Sequence, residues 1–267
     1  MIALKSPIVL KIGGSFLESH EGLHAFCAAL SSLHLLPEFQ GRIVLCHGGG
    51  KEISRNLQWL GEEAHFKHGL RITSAGAMNI VEMTLSGSIN KSLVRALQLH
   101  GTRACGISGV DGSTFICQPL DPELGQVGTV EKVNTHLVVT LLEAGFLPVI
   151  SPVSVDVIQI PFNVNADDAA SALATALKAE KLIFISDVPG VLDEHSRILS
   201  QLQRESIVDL ISLETVSGGM IPKLHSCLQA VAAGVGEVHI CGFENAETLV
   251  QQLQGINNLG TIILPSN

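Results

Sequence analysis

The run Ile8-Val-Leu-Lys-Ile-Gly-Gly-Ser15 sets an ammonium group inside an apolar, strand-like segment that ends in two glycines. Burying such a charge without a partner is costly. Lys11 is therefore expected to emerge at the strand's end and face an anion; a lysine that merely reaches solvent is the plain alternative. A Gly-Gly turn ahead of a helix also exposes backbone N–H groups where anions are held. The run Arg42-Ile-Val-Leu-Cys-His-Gly-Gly-Gly-Lys51 repeats the device. Two such turns side by side would form one cradle at the carboxyl ends of parallel strands, where open α/β sheets bind ligands. Neither fits the common nucleotide motifs. Glu52 follows Lys51, so G-x-x-x-x-G-K-[ST] is absent, and Ile53 stands where G-x-G-x-x-G needs its third glycine.

Four further segments carry candidate chemistry. In Gly69-Leu-Arg-Ile-Thr73 the fork of Arg71 can pair with a carboxylate through two parallel bonds, or form a surface ion pair. In Phe162-Asn-Val-Asn-Ala-Asp-Asp-Ala-Ala170, capping of a helix explains Asn165 or Asp167 but not Asn163, Asn165 and Asp167 together. Some of the three are expected to point at a ligand or at Lys11. Ile183-Phe-Ile-Ser-Asp-Val-Pro-Gly-Val-Leu192 reads as a buried strand entering a turn, with Asp187 and Gly190 at its mouth. Ser217-Gly-Gly-Met-Ile-Pro-Lys223 opens another helix, and a lysine on its first turns opposes the helix dipole unless an anion lies between them. His47 is expected to be positioned by backbone hydrogen bonds and receives no catalytic role. His20 and His24 are four apart but lack the glutamate of H-E-x-x-H, so no metal is expected there.

These residues need a parallel sheet to bring them together. Short β-branched runs at 8–12, 42–47, 103–108, 147–151, 182–186, 237–241 and 261–264 alternate with helical patterns near 21–35, 50–60, 75–100, 134–145, 165–179, 218–234 and 245–254. That alternation predicts right-handed βαβ units. Gly101, Gly145, Gly234 and Gly255 fall at helix C-terminal caps. The stretches 113–132 and 153–161 break the rhythm and read as hairpins at the sheet's edge or over a ligand cleft. The segment 75–100 carries more apolar surface than one core-facing stripe requires; burial within the chain is the first expectation and a subunit interface the alternative.

The 267 residues are 46% hydrophobic and 4% aromatic, with no tyrosine. A core of Val, Ile, Leu and Ala suits fully buried parallel strands and argues against an antiparallel sandwich. A net charge of −9 repels phosphate backbones, which disfavours nucleic acid as a partner. The six cysteines are scattered, with no C-x-x-C, and read as small buried hydrophobes in a reducing compartment. Met1 to Ser6 leave no room for a signal peptide, and no stretch reaches the ~18 apolar residues of a membrane span, so a cytoplasmic chain is expected.

Taken in order, Lys11-Ile-Gly-Gly, His47-Gly-Gly-Gly, Gly69-Leu-Arg-Ile-Thr, Leu124-Gly-Gln-Val-Gly128, Asn163-Val-Asn-Ala-Asp167, Ser186-Asp-Val-Pro-Gly-Val-Leu and Gly218-Gly-Met-Ile-Pro-Lys223 span nearly the whole chain. The set resembles the amino acid kinase family, in particular its members that phosphorylate N-acetyl-L-glutamate. The resemblance implies an α/β/α sandwich: an open, mainly parallel sheet between helices. It implies one domain with two lobes, residues 1–176 for the amino-acid substrate and 177–267 for the nucleotide. It assigns Gly49, Gly50, Arg71 and Asn163 to the acceptor. Lys11 and Lys223 would hold the phosphoryl group, Asp167 would orient both, and Gly14 would donate its N–H. Gly13, Ser186, Asp187, Val188, Pro189, Gly190, Val191, Leu192, Gly218, Gly219 and Met220 would hold ATP, with Mg²⁺ carried on its phosphates. Arginine-inhibited members carry an extra N-terminal helix not seen ahead of Ile8, so an arginine-insensitive homodimer with 75–100 in its interface is expected. The competing readings are kinases of an aminoadipate derivative, glutamate or aspartate, and a metabolite sensor without activity; a nicotinamide-dependent dehydrogenase is disfavoured by the missing fingerprint.

Overall fold

Alternate residues of a strand face opposite sides of a sheet, and the first strand is apolar on both: Ile8, Leu10 and Ile12 enter one core, Val9 another. Such a strand needs helices on both its faces. The computed structural model, which describes residues 6–13, 19–216, 218–254 and 260–264, has that arrangement. The strands are β1 (Ile8–Ile12), β2 (Ile43–His47), β3 (Phe66–Lys67), β4 (Leu70–Arg71), β5 (Ala104–Ser108), β6 (Phe115–Pro119) and β7 (Val127–Val133), followed by β8 (Leu147–Ser151), β9 (Val153–Val155), β10 (Pro161–Val164), β11 (Lys181–Ile185), β12 (Gln201–Leu202), β13 (Glu237–Cys241) and β14 (Thr261–Ile263). Eight form the central sheet in the order β12-β14-β13-β11-β1-β2-β8-β5. Every neighbouring pair is parallel except β13 with β14. β1 lies where the order turns from β2 on one side to β11 on the other, the position at which open α/β sheets form a ligand crevice.

The helices are α1 (His20–His34), α2 (Gly50–Trp59), α3 (Ala75–Glu82), α4 (Asn90–Leu99), α5 (His136–Glu143), α6 (Ala166–Ala176), α7 (Arg204–Ser212), α8 (Met220–Ala232) and α9 (Ala246–Gln254). Apolar residues of α1, α2, α3, α4 and α9 fill the core that receives Ile8, while α5, α6, α7 and α8 fill the other. Residues on both sides of position 176 enter each core, so one sheet runs through both expected lobes. Lys11, two residues after Val9, faces α6 and α8. Gly101, Gly145 and Gly234 follow α4, α5 and α8 with positive φ, as C-terminal caps require; Gly255 lies outside the described residues.

Three local expectations change. The stretches read as hairpins at the sheet's edge or over a ligand cleft do pair as hairpins, β6 with β7 and β9 with β10, but they do not extend the central sheet: the four strands close on themselves as a small barrel, which leaves no open edge to protect. The helical stretch 75–100 is divided by a π-helical turn at Met83–Ile89. Its Met78, Val81, Leu85, Ile89, Leu93 and Leu97 are buried within the chain, while Met83 is 68% exposed on the outer side. Cys105 departs from the expected burial: it is half-buried, whereas the other five cysteines are buried. Burial pushes the thiols of Cys27, Cys46, Cys117 and Cys241 up to about 12 and that of Cys227 further. Among the described residues no helix is long and apolar enough to cross a membrane.

Candidate active site

The site begins with how α6 starts. The Asn165 side chain accepts hydrogen bonds from the backbone N–H groups of Asp167 (2.8 Å) and Asp168 (3.3 Å), so the cap is fully supplied by Asn165. Asp167 is left to turn outward from the first turn. Its Oδ1 lies 2.7 Å from Lys11 Nζ, and its Oδ2 accepts a 2.7 Å hydrogen bond from Lys223 Nζ. Both lysines are held in place: β1 is paired on each side, and Lys223 also lies 5.0 Å from the centre of the Phe184 ring. Ser226 donates to Asp168 at 2.6 Å and ties α8 to α6.

Burial alone would push the Asp167 carboxyl up, but the two ammonium groups pull harder and lower it to about 2. It is therefore ionised at neutral pH. Two cations and one carboxylate leave one excess positive charge, in a place where Lys11 is 8% and Lys223 9% exposed. Shielding from water strengthens its attraction for an incoming anion.

Beside this centre lies a pocket of about 260 Å³ lined by Lys11, Gly49, Gly50, Arg71, Asn163 and Asp167, among others. Its floor is the N-terminus of α2, whose cap residue Gly49 has no side chain to bond the first turn, the kind of helix end at which anions are held. A Cβ at position 49 would lie 2.2 Å from Ile89 Cδ1 and 2.9 Å from Leu85 Cδ2, so glycine lets the loop pack on those side chains without displacing them; at Gly50 a Cβ would meet nothing within 4 Å and would project into open space. His47 sits beneath this loop. Its Nδ1 lies 2.9 Å from Gly48 O and its Nε2 3.2 Å from Asn90 Nδ2, which fits a neutral ring with the proton on Nδ1. Burial lowers its pKa to about 4, so it is a support for the glycine loop and carries no charge at neutral pH.

Arg71 is 7% exposed. Its Nη2 donates to Gly50 O (2.7 Å) and Ser54 Oγ (2.8 Å), and its guanidinium lies 4.7 Å from the centre of the Phe66 ring. Among the described residues, Nη1 has no hydrogen-bond partner. A buried guanidinium edge without a partner is costly and awaits an acceptor such as a carboxylate. Asn163 enters the same pocket from β10, with Nδ2 donating to Thr73 Oγ1 at 3.1 Å.

A second cleft, of about 350 Å³, opens at the carboxyl ends of β11 and β13. Ser186, Asp187, Val188 and Pro189 form one wall, with Ile198, Gly242, Phe243, Glu244, Thr248 and Gly260 around the rest. Its charged lining is acidic, which disfavours phosphate and suits hydroxyl groups or a ring. Gly190, Val191 and Leu192 turn away from this cleft: Val191 is fully buried with its N–H on Thr261 Oγ1 (2.8 Å), and Leu192 bridges to Ile198. Gly218, Gly219 and Met220 lead into α8 just ahead of Lys223. The Gly13 N–H donates to Ile185 O at 3.1 Å and ties the end of β1 to the start of the second cleft. Gly14, Ser15 and Ser217 lie outside the described residues.

Sequence reasoning passed over Ser54, Phe66, Glu244 and Thr248. Ser54 lies one helical turn after Gly50, and that spacing was the signal available for it. The residues of the second cleft beyond Pro189 come from distant segments and carry none.

The model of the "Amino acid kinase family" matches residues 6–242. An acetylglutamate kinase of Campylobacter fetus subsp. fetus is 41% identical over 223 residues, covering 83% of this chain and 80% of its own length. One from Chlorobium chlorochromatii is 38% identical over 255 residues, covering 95% and 88%. Among solved structures, a Streptococcus mutans UA159 protein superposes with a TM-score of 0.79 at 27% identity, covering 96% of this chain and 98% of its own.

Proposed function

Because the chain belongs to the amino acid kinase family, we propose that it transfers the terminal phosphoryl group of ATP to the side-chain carboxylate of N-acetyl-L-glutamate, yielding an acyl phosphate for arginine biosynthesis. The observation that carries this reading is Asp167 held between the ammonium groups of Lys11 and Lys223, each 2.7 Å away, beside a pocket with an unpartnered guanidinium edge.

The acceptor carboxylate, with a pKa of ~4, is already ionised at neutral pH and needs no general base. The chain's task is alignment and charge neutralisation. Arg71 and Asn163 hold the amino-acid end of the acceptor, and the N–H groups of Gly49 and Gly50 face the reacting end. Lys11 and Lys223 stabilise the negative charge on the phosphoryl oxygens, while Asp167 keeps the two lysines convergent and Gly14 adds its N–H. Gly13, Ser186 to Pro189 and Gly218 to Met220 hold the nucleotide, its phosphates reaching out of the acidic cleft toward the lysines, while Gly190, Val191 and Leu192 fix the turn behind that wall. No group of three His, Cys, Asp or Glu side chains that could hold a metal occurs among the described residues. Mg²⁺ carried on the nucleotide phosphates would supply further charge neutralisation. An acyl phosphate is labile to water, and closure of the acceptor lobe (1–176) on the nucleotide lobe (177–267) would protect it.

We further place the enzyme in the cytoplasm, as an arginine-insensitive homodimer that uses the outer side of 75–100, where Met83 is exposed; sedimentation as a hexamer would overturn the dimer. Hydroxylamine trapping with Mg-ATP and a panel of N-acetyl-L-glutamate, glutamate, aspartate and aminoadipate tests the reaction. N-acetyl-L-glutamate is expected to give the dominant hydroxamate signal; a stronger signal from another acceptor would replace the substrate, and none from any would remove the activity.

A further inference from the structure

The segment Leu124-Gly-Gln-Val-Gly128 belongs to the family pattern, yet the reaction described above assigns it no part. What it holds is Thr73. The Thr73 N–H donates to Leu124 O (2.9 Å), and Thr73 O accepts from the Gln126 N–H (2.7 Å). Gln126 O accepts in turn from the backbone N–H of Asn163 (2.9 Å). Gly125 lies between these contacts with φ +69°, and a Cβ there would stand 2.4 Å from Thr73 O. Glycine at 125 is what lets the two backbones approach.

Held in this way, Thr73 is fully buried and does not line the acceptor pocket. Its hydroxyl nevertheless touches both polar residues assigned to the acceptor: Oγ1 donates to Arg71 O at 3.0 Å and accepts from Asn163 Nδ2 at 3.1 Å. A hydroxyl has one hydrogen. With that hydrogen on Arg71 O, the oxygen can only accept from Asn163, which turns the amide nitrogen inward and leaves the Asn163 carbonyl and its second N–H for the pocket.

We infer that Thr73 is a positioning residue, which fixes the amide of Asn163 and the main chain of Arg71 in the orientation that receives the acceptor. This rests on the acceptor reading of the pocket. Thr73→Val keeps the shape and both backbone bonds but removes the hydroxyl, and Thr73→Ser keeps the hydroxyl. Steady-state assays with N-acetyl-L-glutamate and Mg-ATP should show Thr73→Val raising the acceptor KM about ten-fold, with kcat and the ATP KM within about two-fold, the pattern of lost ground-state binding. Thr73→Ser should restore the wild-type KM. In a Thr73→Val/Asn163→Ala double variant the acceptor KM should exceed that of Asn163→Ala alone by well under ten-fold, because part of the hydroxyl's effect passes through that amide and only the Arg71 contact remains to be lost. Wild-type enzyme without hydroxamate formation would sink the substrate reading itself. Active wild type with an unchanged acceptor KM in Thr73→Val would overturn the positioning role alone. So would a uniform fall in activity with a lowered melting temperature, or failure of both Thr73→Val and Thr73→Ala to fold, since either outcome makes the hydroxyl purely structural.

Discussion

The two clefts on either side of β1 are built from different materials. The acceptor pocket is made of charged and amide side chains locked by hydrogen bonds: Arg71 on Gly50 and Ser54, Asn163 on Thr73, Asp167 between two lysines. The second cleft is walled by a turn, Ser186 to Pro189, and by glycine and apolar residues, with acidic groups as its charges. A carboxylate-bearing acceptor is chosen by directional side chains. A nucleotide can be held by main chain and shape, with its phosphates handed to the lysines. Side-chain substitutions should therefore damage the acceptor pocket and the lysine centre far more than the nucleotide cleft.

The largest effect that would sharpen this contrast is at the centre itself. Lys11→Ala should lower kcat by at least ~100-fold, about 2.7 kcal/mol of barrier; near-normal turnover would remove Lys11 from the mechanism. A smaller, one-sided effect is expected at Arg71→Lys. An ammonium cannot occupy both edges of the fork, so the acceptor KM should rise by about 10-fold, roughly 1.4 kcal/mol, while the ATP KM stays put. Equal rises in both constants would break the separation of the two clefts.

The smallest effect concerns the support under the glycine loop. The His47 ring titrates at an ordinary 6.5 when unfolded and at about 4 in the folded chain, because burial penalises its charged form. Between those values the unfolded chain binds a proton that the folded chain refuses. The contribution is complete above pH 6.5 and is lost as pH falls to about 4, up to roughly 3 kcal/mol in all. Urea unfolding at pH 7, 6, 5 and 4.5 should show this slope, and His47→Gln should flatten it. An unaltered slope in the variant would assign the acid sensitivity elsewhere, for instance to His239 or His34, whose pKa values burial also lowers.

Much of the centre was legible because it violated local rules. Lys11 stood out as a charge in an apolar strand, and it is the residue found at Asp167. Three polar side chains at 163–167 exceeded what capping needs. The structure resolves the surplus, with Asn165 as the cap, Asp167 on the lysines and Asn163 on Thr73. The central strands and most helices followed from periodicity, which is a local property. The barrel did not, because its closure depends on β10 pairing with β7 and β9 with β6, contacts between segments that no local pattern links. Helix α7 was missed for a different reason: only Ile207 of its nine residues is buried, so the apolar stripe that announces a helix is faint. Thr73 carried no signal because its partners are main-chain atoms and an amide ninety residues away.

The cysteines carry a practical consequence. Alkylating reagents and oxidants attack thiolates that they can reach, and five of the six sulfurs here are buried. Cys105, half-buried against the core, is therefore the thiol that a maleimide dye should reach first. β5 is one of the two edge strands, three places from β1 in the sheet, or about 14 Å at the usual ~4.8 Å spacing between strands. The chain thus supplies its own labelling point, far enough from the lysines to leave them untouched and near enough to report on them.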